Sequence, residues 1–254
     1  QPLNKRQLVE AQRKILDLHT LSLLFTRTRK RDAMLNPPVR TAEVIKNAFT
    51  PEEEQYYENV VAYVKNHYML SHPGSPVYTW TTMMKERQVA SCISAFHRKF
   101  SGQLRAEESE AENNAEELSD PLTLYDQING TSEYQKSLLE LRDYLVRWTP
   151  PPDTKFDQFL KALKLVLVDS PEAKVLVFSF FIDTVNYLHE RLQQEGISSL
   201  KMHGGFNVQE RQMTMDTFRD QPDIRVLVSS DVGAEGLDFQ FCDTLFNYDL
   251  PWNP

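Results

Sequence analysis

A chain of 254 residues is long enough for one or two domains with a sizeable core. Cys92 and Cys242 stand far apart with no C-x-x-C spacing, which excludes a disulfide scaffold and a cysteine zinc site and fits a reducing, cytoplasmic setting. The formal charge of −8 is uneven: residues 106–120 hold seven acids and no base, while residues 1–31 hold eight bases against Glu10 and Asp17, so the net acidity leaves a phosphate-bearing partner open. No apolar run approaches the ~18–20 residues of a membrane span, and the N-terminus has no apolar stretch of the signal-peptide kind. Gln1 at the start, and Pro254 directly after a strand-like run, are expected of a piece of a longer chain.

The first half has the spacing of helices. Leu8, Ala11, Ile15, Leu18, Leu21 and Phe25 recur three or four apart and predict a helix over 7–25. Thr50-Pro51-Glu52-Glu53 opens the next as a capping box, with Thr50 as N-cap, Pro51 at N1, Glu53 at N3, and an apolar face of Tyr57, Val60, Val61 and Val64. A third helix is expected over about 81–99. The acidic stretch within 101–120 has the composition of a solvated, flexible insertion.

The last hundred residues alternate strands with helices. Lys174 to Phe178 is an unbroken apolar run, as in a strand buried on both faces. A helix is expected over about 183–195, ended by Gly196 at C′. A strand at Ser199–Met202 follows, then a helix capped by Asn207 and Glu210 and running to about Phe218. Arg225–Val228 and Thr244–Tyr248 are further strands. The pattern predicts βαβ units around a parallel sheet.

Ligands of such sheets bind beyond the carboxyl ends of the strands. Here those ends carry Ser179, then His203-Gly204-Gly205, then Ser229-Ser230-Asp231 running on to Gly236-Leu237-Asp238. Glycines there let backbone amides approach a phosphate. The chain has no Gly-Lys pair for a Walker A loop, no Asp-Glu dipeptide, no H-E-x-x-H and no G-x-S-x-G. Ser229, Ser230, His203 and Asp231 lack the nucleophile elbow of a hydrolase triad. The histidines show no metal-ligand spacing, and no metal site is expected.

Lys174-Val175-Leu176-Val177-Phe178-Ser179-Phe180-Phe181 resembles helicase motif IV. His203-Gly204-Gly205 with Glu210-Arg211 and Phe218 resembles motif IVa. Val226 to Asp238, with Tyr248-Asp249-Leu250-Pro251-Trp252-Asn253-Pro254, resembles motif V and its trailing strand. Together they resemble the C-terminal RecA-like lobe of a superfamily-2 ATPase of the Swi/Snf type, nearest the bacterial branch that associates with RNA polymerase. Leu24 to Asp32, Pro37-Pro38, Phe49 to Glu52, Arg87 to Cys92 and Lys155 to Leu163 resemble, more loosely, the segments that join the two lobes.

The resemblance implies an α/β fold: a RecA-like parallel sheet with helices on both faces, preceded by a mainly helical segment. It divides the chain into a helical lobe-joining region (1–100), an acidic flexible insertion (101–135), a helical lead-in (136–165) and a second RecA-like lobe (166–254) that stops before motif VI. It implies that Ser179, Gly204, Gly205, Arg211 and Ser230 contact a nucleic-acid backbone, and that Gly236 and Asp238 contact ATP, Asp238 at a ribose hydroxyl. Mg2+ would be held mainly by a first lobe that this sequence lacks. The implied partner is nucleic acid, chiefly double-stranded DNA, with RNA polymerase or another protein as a further partner and no membrane. Two other readings stay open: a non-catalytic module docking on RNA polymerase or another protein, and a RecA-like domain for a nucleotide or sugar nucleotide with no motor role.

Overall fold

The computed structural model describes residues 41–71, 77–117, 132–230, 234 and 236–249. The helix expected over 7–25, the stretches Leu24–Asp32 and Pro37-Pro38, and residues 231–233, 235 and 250–254 lie outside them. The described residues from Ile45 onward belong to one unit.

Helix α1 (Pro51–Ser71) starts at the expected capping box. The Thr50 amide donates to Glu53 Oε2 at 2.8 Å, and the Glu53 amide donates to Thr50 Oγ1 at 3.2 Å. Its buried face is Tyr56, Val60, Tyr63 and Val64, so the expected stripe is turned: Tyr57 and Val61 are only half-buried. Aromatic partners decide this. Tyr56 stacks on Trp148 at 3.9 Å and its hydroxyl meets His97 Nδ1 at 3.0 Å, so the ring is buried with its polar end satisfied.

The single helix expected over 81–99 is two, α2 (Val77–Ser91) and α3 (Ile93–Glu117), running on through Cys92. Backbone bonds bridge that residue, from Cys92 N–H to Gln88 O at 3.3 Å and from Phe96 N–H to Cys92 O at 3.0 Å. The acidic stretch expected as a loop from 101 is helical to Glu117. Glu and Ala are good helix formers, and Leu104, 2 % exposed, anchors the helix beyond Phe100. Helix α4 (Ser132–Arg147) closes this part. Ile93, Phe96, Phe100, Leu104 and Leu145 join the α1 face in one cluster.

Helix α5 (Thr154–Asp169) leads into the sheet: β1 (Val175–Phe178), α6 (Ile182–Gln194), β2 (Ser199–Met202), α7 (Val208–Asp220), β3 (Val226–Ser229) and β4 (Thr244–Asn247). The strands are all parallel in the order β2-β3-β1-β4. Val175, Val177, Val226 and Val228 pack with Phe156, Leu163, Val185 and Leu188 of α5 and α6. Leu176, Leu227 and Met202 pack with Phe218 of α7 and with Leu237, Phe239 and Phe241. Both faces are therefore covered, which is why β1 and β3 have apolar runs instead of alternation; each fully buried Val or Leu contributes about 1.5–3 kcal/mol. Gly196 follows α6 at φ 74°, where a Cβ would be strained, and the Ile197 amide closes back on Leu192 O at 2.9 Å. Among the described residues no helix is long and apolar enough to cross a membrane.

Candidate functional site

Strand register makes one level edge. Phe178 pairs with Ser229 and Asn247, and Ser229 pairs with Met202, so all four strands end together. Pairing continues one residue further. Ser179 N–H donates to Ser229 O at 3.1 Å, Ser230 N–H to Met202 O at 3.0 Å and Tyr248 N–H to Phe178 O at 2.8 Å. The topology thus brings Ser179, His203, Ser230 and Tyr248 side by side, with the glycine-bearing turns directly beyond.

The candidate residues behave differently there. Ser179 is 1 % exposed, and its hydroxyl donates to Asp249 Oδ2 at 2.5 Å while accepting from the Phe181 amide at 3.3 Å. In this conformation that hydroxyl is committed internally. Ser230 is also buried, and its carbonyl accepts from Ala234 N–H at 3.1 Å. Gly204 and Gly205 are exposed. A Cβ on Gly205 would lie 3.1 Å from the His203 ring. That ring is held by Phe206 at 4.6 Å, and its Nδ1 accepts from the Gly205 amide at 3.2 Å, so Nδ1 carries no proton. Burial and the nearby Lys201 ammonium lower the His203 pKa, against an opposing pull from Glu210.

Arg211 lies on the first turn of α7, whose capping box is formed by Asn207 and Glu210. Its guanidinium donates to Phe206 O at 3.0 Å and Gly204 O at 3.5 Å, bracing the glycine turn and bringing positive charge to it. Gly236 sits at φ 81°, a conformation that favours glycine. Leu237 and Phe239 then fold back onto the sheet, which leaves Asp238 between them exposed. Asp238 Oδ1 accepts from Gln240 N–H at 3.0 Å, an Asx turn that stiffens the exposed carboxylate. The edge therefore has an exposed glycine turn with a bound guanidinium, and an exposed, fixed carboxylate beyond β3. Among the described residues no His/Cys/Asp/Glu group could hold a metal ion.

Sequence reading gave no site role to Lys155, Asp249 or Glu53. Glu53, 4 % exposed, ties α1 to the lobe by accepting the Thr154 hydroxyl at 3.1 Å. No spacing rule predicts these pairs, because each joins residues about a hundred positions apart.

A four-stranded parallel sheet with helices packed on both faces is a RecA-like α/β fold. Residues 154–254 match the helicase conserved C-terminal domain. The chain is 28 % identical over 250 residues to an uncharacterized ATP-dependent helicase of Bacillus subtilis, YqhH, covering 98 % of this chain and 38 % of that protein. It is 31 % identical over 102 residues to the RNA polymerase-associated protein RapA of Vibrio atlanticus, covering 39 % of this chain and 10 % of that one. Among solved structures it is similar to the C-terminal part of the Fun30 ATPase domain, with a TM-score of 0.45 and 19 % identity over 80 % of this chain and 73 % of that one. The chain spans well under half the length of these curated relatives.

Proposed function

We propose that this chain is the C-terminal lobe of an ATP-dependent translocase of the Swi/Snf type acting on duplex DNA, and that its strand-end edge supplies half of the ATP cleft and half of a backbone-binding track. The observation that carries the reading is the level carboxyl edge, where β1, β2 and β3 end together, the glycine turn follows β2, and the Ala234 amide bonds back to Ser230 O ahead of the Asp238 turn. Gly204, Gly205, Arg211 and Ser230 line the track, with Ser179 beneath it. Phosphate contacts of this kind position a duplex without reading its sequence. Asp238 and Gly236 fit a ribose and its nucleotide: an exposed carboxylate held by an Asx turn can accept from a hydroxyl, and a glycine admits close approach.

Phosphoryl transfer depends on positioning and charge stabilisation. The P-loop, the Mg2+ ligands and the motif VI arginines would come from outside these residues, so the 254-residue chain alone is expected to release no phosphate from ATP. In the protein encoded by the complete reading frame, Asp238→Ala should raise the KM for ATP, and Ser230→Ala should leave basal turnover intact and reduce its stimulation by DNA. Parallel loss of melting temperature and both activities in each variant would leave the two residues as turn braces only. The likeness to an RNA polymerase-associated protein favours one further reading, in which the lobe also docks on RNA polymerase; binding to purified core polymerase without DNA or ATP separates the two.

A further inference from the structure

Three consecutive side chains at the start of α5 reach three different elements. Asp153 caps the helix by accepting from Phe156 N–H at 2.9 Å, and it receives the Cys92 thiol of the α2–α3 junction at 3.7 Å. Thr154 donates to Glu53 of α1. Lys155 Nζ donates to Ser91 O at 2.7 Å and Ala90 O at 3.4 Å, and it stands 3.5 Å from Asp249 Oδ1 and 4.3 Å from the Tyr248 ring centroid. Asp249 in turn takes the Ser179 hydroxyl and, at 3.1 Å, the Phe180 amide on Oδ2. Its Oδ1 is buried without a hydrogen bond, so the Lys155 ammonium is an ionic contact there. A buried carboxylate oxygen without a compensating cation is costly. The path Ser91–Lys155–Asp249–Ser179 thus runs from the end of α2 to the end of β1.

We infer that Lys155 is a positioning residue: it holds Asp249 against the α2–α3 junction and thereby fixes the β1 end, Ser179-Phe180-Phe181, under the ligand edge. A displacement of the helical segment reaches Asp249 and the β1 end through this side chain, beside the direct contacts of Arg87 with the Phe180 ring at 5.4 Å, Lys99 with Asp183 at 2.8 Å and Ser91 with Thr184 at 2.8 Å. The inference deepens the proposed track and rests on it only for its consequence in DNA binding; the geometry at the β1 end stands apart from it.

Hydrogen exchange read by mass spectrometry on the full 254-residue chain tests the relay. Lys155→Met should speed exchange about tenfold or more in peptides covering 179–183, with 199–202 and 208–218 unchanged, and Lys155→Arg should restore most of the protection. Asp249→Asn keeps the side-chain size and removes the charge, so it should reproduce the same local rise should the methionine variant fail to fold. Unchanged exchange at 179–183, or an equal rise across the whole lobe, overturns the inference. Anisotropy of a labelled duplex, read in parallel, should weaken threefold or more in Lys155→Met. Unaltered binding beside a local rise overturns the link to the edge, whereas absence of binding by the unmodified chain sinks the proposed track and leaves the exchange result to judge the relay.

Discussion

The ends of β1 and β2 flank β3 in the same sheet, yet they treat their polar residues in opposite ways. At the β1 end Ser179 is turned inward to Asp249, and the Phe180 amide follows it. At the β2 end Gly204 and Gly205 face outward, and a guanidinium and an imidazole steady the turn from the side. The first end is a buttress, where a lost bond is felt as stability. The second is a surface, where the proposed track predicts that a change is felt as affinity.

The largest effect should come from the support common to both turns. Phe218 is fully buried beneath β2 and packs against Phe241 of the strip that carries Asp238. Phe218→Ala should cost about 3–5 kcal/mol in urea unfolding and loosen both sides of the edge. Next comes Ser179→Ala, which leaves Asp249 Oδ2 without its hydroxyl donor. A loss of about 1–3 kcal/mol is expected, again by urea unfolding. Asn207→Ala removes one half of the α7 capping box and should cost about 1 kcal/mol. Gly205→Ala should change stability by no more than about 0.5 kcal/mol, since its surroundings are exposed, while lowering duplex affinity severalfold as the new Cβ pushes on His203. The reverse pattern, with Ser179→Ala silent in unfolding and Gly205→Ala strongly destabilising, would break the comparison.

The smallest effect is a pH dependence. Burial and Lys201 hold the His203 pKa below its ordinary 6.5, so below that value the unfolded chain binds a proton before the folded one does. Stability is therefore fully present above about pH 6.5 and falls as the pH drops through the window beneath it. Burial lowers His97 and His189 in the same direction, so the acid slope is shared. His203→Asn should flatten part of that slope, read as melting temperature against pH. An unchanged slope would remove His203 as a contributor.

Much of the lobe was legible in the sequence because its signals are local. Asn207 with Glu210, Gly196 after a helical stretch and the apolar run at 175–178 each specify their element from neighbouring residues, and the strand ends carry the candidate residues with them. The helical segment was less legible. Its α1 face is set by Tyr56 stacking on Trp148, a partner distant in the chain, and its acidic stretch is helical to Glu117 despite a composition that suggests a solvated loop. At the site, position could be read and orientation could not. Whether Ser179 faces a ligand or the core depends on Asp249, seventy residues on.

The central claim is that this edge contacts a phosphate backbone, and the salt dependence of duplex binding tests it most directly. Anisotropy of a labelled duplex with the 254-residue chain should give measurable binding at ~50 mM salt that falls about tenfold or more by ~200 mM, as two or more neutralised phosphates require. Affinity should be equal for duplexes of unrelated sequence, and weaker in Gly205→Ala. Binding that survives the higher salt, depends on base sequence, or is absent at the lower salt would contradict the account.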